Sequence, residues 1–400
     1  MGDQQKIVIG VDILDLRFAK TGQKTFLEEL YHQFLQNTDP QIAFVFLDAA
    51  LPSFSRNSKL GIILNHLIYQ WYKQVLLPIK AWRKGVKVLF CCDYYAPIFT
   101  PGFKNVQVYH DAFFYEYPEH YNPLWLKFFR FFAIPAAKQS AYIITPTEYA
   151  KRTIHQHIGI ALEKIAVVHE GPKNFGKALG KKLDGDAYNY ATDSTSTASS
   201  AIGNAQAEWT PPSVPYLLHV GVWEKRKNLP NLIKAFKQLI DELEQPLQLV
   251  LVGTGNQKKY SDDTEQINAT IEALQLSDRV ICTGYLSDAA VAKAYQHASL
   301  YIFPSYNEGF GIPILEAFSF NIPVLVANNS CLPEVGGDAV ISFDPFSPVD
   351  MKEKIKEVLI NPELQASLKE KGHQQLSKYS WLKASKEIIQ IFKQAANNGK

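Results

Sequence analysis

The stretch Phe303-Pro-Ser-Tyr-Asn-Glu-Gly-Phe-Gly-Ile-Pro-Ile-Leu-Glu-Ala-Phe-Ser-Phe320 carries the signature from which the fold can be read. The apolar run that ends at Phe303 reads as a buried strand. A loop with Gly309 and Gly311 follows, Pro313 opens a short helix, and Asn321-Ile322-Pro323 closes it. The N–H groups of Gly311 and Ile312 then sit at a helix mouth carrying roughly half a positive charge. Such a mouth attracts an anion, phosphate above all. Glu308 lies in the loop ahead of the helix, and Glu316 lies about 4.5 Å beyond Pro313 along the axis. An acid on each side of a phosphate-attracting helix end suits a sugar or ribose joined to a phosphate. Taken alone, the segment fits a loop glycine pair with two solvated glutamates equally well.

Outward from this point, short apolar runs alternate with helical stretches. The first half offers Ile7–Val11, Ala43–Leu47, Val86–Cys92, Val106–Tyr109, Ala141–Thr145 and Ile165–Val168. The second offers Tyr216–Val220, Leu247–Val252, Arg279–Cys282, Leu300–Phe303, Pro323–Ala327 and Ala339–Phe343. Continuous Val/Ile/Leu runs mark strands covered on both faces. Amphipathic stretches such as Asn231–Glu244 supply the crossover helices. Six strands in each half imply an α/β protein with two doubly wound parallel sheets.

Four hundred residues with 46% hydrophobic and 20% charged side chains describe an ordinary globular protein of two or three domains. A net charge of +2 argues against a dedicated nucleic-acid binder. Cys91, Cys92, Cys282 and Cys331 show no metal spacing and read as buried thiols in a reducing compartment. No signal segment precedes the first strand and no run of about 18 apolar residues occurs, so the expectation is a cytoplasmic protein.

The composition changes between about Lys173 and Pro215, with a Ser/Thr-rich tract and Pro211-Pro212, which reads as a linker. Asp184-Gly185-Asp186 within it resembles a metal-binding carboxylate pair, but no strand leads into it and solvated linker is the preferred reading. Two aromatic and basic segments stand out in the first half, Leu60 to Lys87 and Tyr121 to Lys138. Helices of this kind lie on an anionic membrane surface, or they pack on the sheet and line a cleft between domains. The second reading is preferred here.

Ligands of open α/β sheets bind beyond the carboxyl ends of the strands. After Val220 comes Gly221-Val-Trp-Glu-Lys-Arg-Lys-Asn228, whose cations, Arg226 and Lys227 among them, suit a phosphate pair. Gly253-Thr-Gly255 follows the next strand, where missing side chains let backbone approach a ligand. Thr283-Gly284-Tyr285 follows the third, with Tyr285 as an edge for a planar base. These loops and the Glu308–Glu316 loop crowd one rim. In the first half, His110-Asp111 ends the strand Val106–Tyr109 and is a candidate site. Thr21-Gly22 opens a helix that offers N–H groups to a phosphate or sugar. No Gly-x-Ser-x-Gly elbow, Gly-Lys-Ser/Thr phosphate loop or His-Glu-x-x-His zinc helix occurs.

With these residues in view, the sequence resembles the family 4 retaining glycosyltransferases of the GT-B fold, in particular bacterial O-antigen and exopolysaccharide mannosyl- or rhamnosyltransferases. The most specific match is the paired-glutamate motif, Glu308 and Glu316 within Asn-Glu-Gly-Phe-Gly-Ile-Pro-Ile-Leu-Glu-Ala. Gly221 with Arg226-Lys227-Asn228, His110-Asp111 with Pro118-Glu119, Ile144-Thr-Pro-Thr-Glu-Tyr-Ala-Lys151 and Trp381 support it. The resemblance implies two Rossmann-like domains facing a central cleft. The expected division is an acceptor domain over 1–172, a linker over 173–213, a sugar-nucleotide domain over 214–378, and a closing helix over 379–400 that crosses back onto the first domain.

Residue by residue, the resemblance implies that Lys227 and Arg226 neutralise the diphosphate beside the backbone of Gly309, Phe310 and Gly311. Glu316 would bond the ribose and Glu308 the donor sugar. His110 would serve the transferred sugar as a catalytic residue, Gly22 and Gly253 would take the donor side, and Asp111 the acceptor side. Many family members carry Arg directly after the glycine of the basic loop, where this chain has Val222; Arg226 is the expected substitute. The implied reaction needs no metal and no cofactor beyond the sugar nucleotide, with a weak preference for GDP-mannose and a glycan or lipid-linked acceptor. The rival readings are a non-catalytic nucleotide-sugar-binding relative and a sugar-nucleotide epimerase.

Overall fold

The structure, a computed structural model, describes residues 6–19, 21–55, 58–176, 178–180, 209–256 and 258–397. The chain forms two compact units, Met1–His169 with Trp381–Lys400, and Glu170–Ser380. Asp184-Gly185-Asp186 and most of the expected linker lie outside the described residues.

In the first unit, β1 (Ile7–Asp12), β2 (Ile42–Leu47), β3 (Val88–Cys91), β4 (Lys104–Val108), β5 (Tyr142–Thr145) and β6 (Ile165–Val167) form one parallel sheet. Their order is β2-β1-β3-β4-β5-β6, so the winding reverses between β1 and β3. Strand β3 is buried on both faces, as its unbroken apolar run requires. Leu89 and Cys91 point into a core with Tyr72, Leu77 and Ala81. Phe90, on the opposite face, meets Phe392 at 5.1 Å and Phe34 at 6.0 Å between ring centroids. Phe34 belongs to the helix Thr21–Leu35 and Phe392 to the closing helix Trp381–Asn397, which together cover that face.

The opposite face carries the β2-to-β3 crossover: an α-helix (Lys59–Trp71), a π turn (Tyr72–Leu76) and a second α-helix (Leu77–Arg83), run end to end. Pro78 would break a plain helix because it has no N–H and its ring meets the preceding turn. The π turn takes up the misfit just ahead of it, with the Leu77 amide bonded five residues back to the Tyr72 carbonyl. The helix Pro123–Gln139 crosses from β4 to β5. Both crossovers run in the same direction across the sheet, so right-handed connections put both on one face.

In the second unit, β7 (Tyr216–Val220), β8 (Gln248–Val252), β9 (Val280–Gly284), β10 (Leu300–Phe303), β11 (Val324–Ala327) and β12 (Val340–Phe343) form a second parallel sheet. Its order is β12-β11-β10-β7-β8-β9. Neighbours β7 and β10 send their crossovers in opposite directions, so the loops after them flank the crevice where an open sheet binds ligands. Among the described residues the twelve strands fall on the twelve apolar runs, with ends that differ by at most two residues. The helix expected over Asn231–Glu244 runs from Leu229 to Glu242, because Pro230 fits the first turn better than a position outside it.

Candidate functional site

The loop after β7 turns through Lys225–Lys227 in a single 3-10 turn, and Asn228 adopts a left-handed conformation (φ 58°) before the helix Leu229–Glu242. A short amide side chain tolerates that backbone, and here it also holds two other loops: Asn228 Nδ2 donates to the carbonyls of Pro304 after β10 (3.1 Å) and Pro345 after β12 (2.7 Å). The Tyr306 amide donates back to the Arg226 carbonyl at 3.0 Å. The loops after β7 and β10 are thereby tied together across the crevice.

Across that seam the charged side chains converge on one carboxylate. Lys227 Nζ lies 2.6 Å from Glu308 Oε1, and Arg226 Nη1 lies 2.6 Å from Glu308 Oε2. Burial pushes the Glu308 carboxyl up, but the charges of Arg226 and Lys227 outweigh it and hold it at about 2. Burial presses the Lys227 ammonium down, against the pull of Glu308. Arg226 is steered further by Glu224 (3.0 Å), whose other oxygen accepts from Asn256 at 2.7 Å. Lys225, first of the cation run, is exposed.

The mouth of the helix Ile312–Ser319 stands beside this cluster. Gly311 is its N-cap at φ 103°, with no capping side chain. A Cβ there would stand 3.1 Å from Leu332 Cδ2 and 3.3 Å from Phe303 Cε1. Lys227 Nζ lies 4.9 Å above the centre of that same Phe303 ring, so cation and helix mouth share a wall. Cys331 Sγ donates to the carbonyls of Glu308 and Phe310, both at 3.1 Å, and fixes the loop through Gly309. Phe310 itself is buried, edge-on to Tyr379. Glu316, on the helix, is buried and accepts from Tyr295 Oη at 2.8 Å. Burial raises its pKa.

Gly253 (φ 130°) has a structural reason to be glycine. A Cβ there would fall 1.9 Å from the Gly221 carbonyl oxygen, so its bare backbone first serves the packing of the β7 and β8 loops. Tyr285, just past β9, is 80% exposed. In the other unit, Gly22 is the exposed second residue of its helix, and Phe26 one turn later lies edge-on to His110 at 4.8 Å. Asp111 accepts from Tyr94 Oη (2.9 Å) and the Phe113 amide (3.1 Å). The two sets belong to different units, and each stands as described within its own.

Several residues escape a linear reading. His219 in mid-β7 is fully buried, and its Nδ1 lies 3.0 Å from the Ile302 carbonyl, which places the ring proton on Nδ1. Its Nε2 has no hydrogen-bond partner among the described residues and would stand 3.3 Å from a Cβ on Gly221. Burial and the nearby Lys227 charge lower its pKa to about 4. Lys173 reaches Asp288 at 2.6 Å and contributes positive charge near Glu316. Only the polar residue within an apolar strand (His219) could have been flagged in advance.

Residues 205–375 match the family described as "Glycosyl transferases group 1", and residues 44–171 match "Glycosyltransferase Family 4". Each of the two units thus carries a match to a glycosyltransferase family. The chain is 30% identical over 178 residues to the O-antigen chain mannosyltransferase B of Escherichia coli, covering 44% of this chain and 45% of that protein. It is 32% identical over 178 residues to the serotype-specific mannosyltransferase WbdA of the same species, covering 44% and 21%. The chain thus spans less than half the length of these relatives. The crystal structure of Anabaena Alr3699/HepE in complex with UDP-glucose superposes with a TM-score of 0.66 at 15% identity, covering 97% of this chain and all of that one. The fold is GT-B, two Rossmann-like units with parallel sheets.

Proposed function

We propose that this chain is a retaining hexosyltransferase that moves a sugar from a nucleoside diphosphate donor to a glycan or lipid-linked glycan in surface polysaccharide synthesis. The observation that carries the reading is the convergence of Arg226 and Lys227 on Glu308, beside the uncapped mouth of the Ile312–Ser319 helix. Departure of a nucleoside diphosphate leaves about two negative charges on the phosphates and an oxocarbenium-like sugar. A buried lysine, a half-buried arginine and a helix N-terminus meet the first; a carboxylate kept ionised meets the second. Before the donor arrives, Glu308 keeps the cations neutralised and in place. Donor phosphates then share those cations, and Glu308 turns part of its charge toward the sugar.

Glu316 takes the ribose, with Tyr295 fixing its carboxyl. Gly309, Phe310 and Gly311 supply backbone at the phosphates, and Tyr285 an exposed ring for the base. Gly22, His110 and Asp111 keep the donor-side, catalytic and acceptor-side roles that the family resemblance gives them. Similarity to proteins named as mannosyltransferases supports mannose as the transferred sugar, and GDP-mannose is the donor proposed here. No metal is required in this scheme, so transfer survives dialysis against EDTA.

A thermal-shift series with GDP, UDP, ADP and dTDP tests the donor site. GDP should raise the melting temperature most, and Arg226→Ala should abolish the shift. A molecule indifferent to all four nucleotides would sink the proposal.

A further inference from the structure

The crossover from β2 to β3 presents an apolar stripe to solvent. Leu60, Ile63, Leu67, Trp71, Val75, Ile79 and Trp82 follow one another at intervals of three or four residues and are all exposed, Trp71 by 52% and Trp82 by 62%. That spacing puts them along one side of a continuous helical rod. The opposite side of the rod is anchored by polar contacts. Lys73 Nζ is fully buried between Asp12 (2.7 Å) and Asp15 (2.8 Å), Tyr72 Oη bonds Asp12 at 2.9 Å, and Tyr69 Oη bonds Asp15 at 3.0 Å and Asp93 at 3.1 Å. Rolling the stripe inward would expel that network, so the outward pose of the tryptophans is fixed by the fold. On the same sheet face, the helix Pro123–Gln139 exposes Leu124, Phe128 and Phe131, the last by 70%.

Charge identifies what covers this face. From Ala49 to Cys92 there is no Asp or Glu, and none from His120 to Thr147. Arg83, Lys84 and Lys87 are exposed at the end of the rod. A second copy of the chain would bring these cations against their equivalents, which disfavours self-association through this face. No helix among the described residues is long and apolar enough to cross a bilayer. Exposed tryptophans and aliphatics flanked by cations without acids match the boundary of an anionic leaflet, with rings among the headgroups and lysines at the phosphates.

We infer that the first unit docks on anionic membrane through the Leu60–Trp82 stripe, with Arg83, Lys84 and Lys87 as its electrostatic contacts. The test is co-sedimentation of the purified chain with phosphatidylcholine vesicles, with and without phosphatidylglycerol, alongside size-exclusion chromatography. Wild type should pellet with the anionic vesicles and not with the neutral ones. Each cation near such a surface contributes about fivefold, so R83Q/K84Q/K87Q should weaken binding on the order of a hundredfold. I63S/L67S/W71S should abolish it while the circular dichroism spectrum and the nucleotide thermal shift stay unchanged. The inference fails if wild type ignores anionic vesicles, or if both triple variants pellet like wild type. A dimer that the serine variant dissolves, with no vesicle binding, would overturn it in favour of a second copy. The nucleotide shift separates any of these results from a failure of the donor-site proposal.

Discussion

Glu308 is held by two cations and so cannot be replaced quietly. Glu308→Gln keeps the shape but removes the charge from both ion pairs. Lys227 and Arg226 then lose a charged competitor for the diphosphate, while the developing positive sugar loses its counter-charge. Transfer should fall by about 10²-fold or more with nucleotide affinity equal or stronger, measured by turnover and calorimetry on the same preparation. Lys227→Ala should do the reverse, weakening the diphosphate about tenfold to a hundredfold while the free nucleoside is unaffected. Equal losses of turnover and binding in both variants would refute this division of labour. His219 gives a pH signature at the same spot. Its folded pKa of about 4 lies below the usual 6.5, so the unfolded chain binds the proton more readily between these values. Its stabilising contribution is therefore complete above pH 6.5, declines as pH falls, and is gone below about pH 4. The total is roughly 3 kcal/mol. Urea titrations across that range should show the decline, and His219→Gln should flatten it; a wild-type stability level from pH 7 to 4 would contradict the assignment.

Among the elements, the rod from Lys59 to Arg83 shows best what a linear reading can and cannot deliver. Its helical character is legible from the apolar spacing, and its strand neighbours from their unbroken Val/Ile/Leu runs. Which side faces inward is not, because both sides are apolar and the deciding partners, Asp12 and Asp15, lie about sixty positions earlier in the chain. The π turn is equally hidden: Pro78 signals a break, and only the bond from Leu77 back to Tyr72 shows how the break is avoided. The loop of Glu308 and Glu316 was legible because its glycines, proline and acids are neighbours in sequence; its cations were readable only as a strand-end cluster. The rod's anchor gives a stability prediction. Lys73→Met strips the ammonium from two buried carboxylates, the costly way to break a buried ion pair, and should destabilise by about 3–5 kcal/mol in urea unfolding. A cost under about 1 kcal/mol would mean that Asp12 and Asp15 take up protons or water freely and that the network does not hold the rod.

At the scale of the whole molecule, the chain leaves its first unit at His169, builds the second, and returns at Trp381 to finish the first. The returning helix is structural to that first unit: Trp381 and Phe392 are fully buried, and Phe392 packs against Phe34, Phe44 and Phe90 on the sheet face opposite the rod. The donor loops, by contrast, draw every contact described above from within Glu170–Ser380. The two units should therefore respond to different perturbations. Phe392→Ala opens a cavity under the returning helix and should cost the first unit about 3–5 kcal/mol. In a thermal scan the variant should show two transitions, an early one for the first unit and a later one that added nucleotide raises further. Limited proteolysis between those temperatures should spare the Glu170–Ser380 core. A single transition that falls as a whole, and that nucleotide lifts as a whole, would show that the units unfold together and that the returning helix stabilises both.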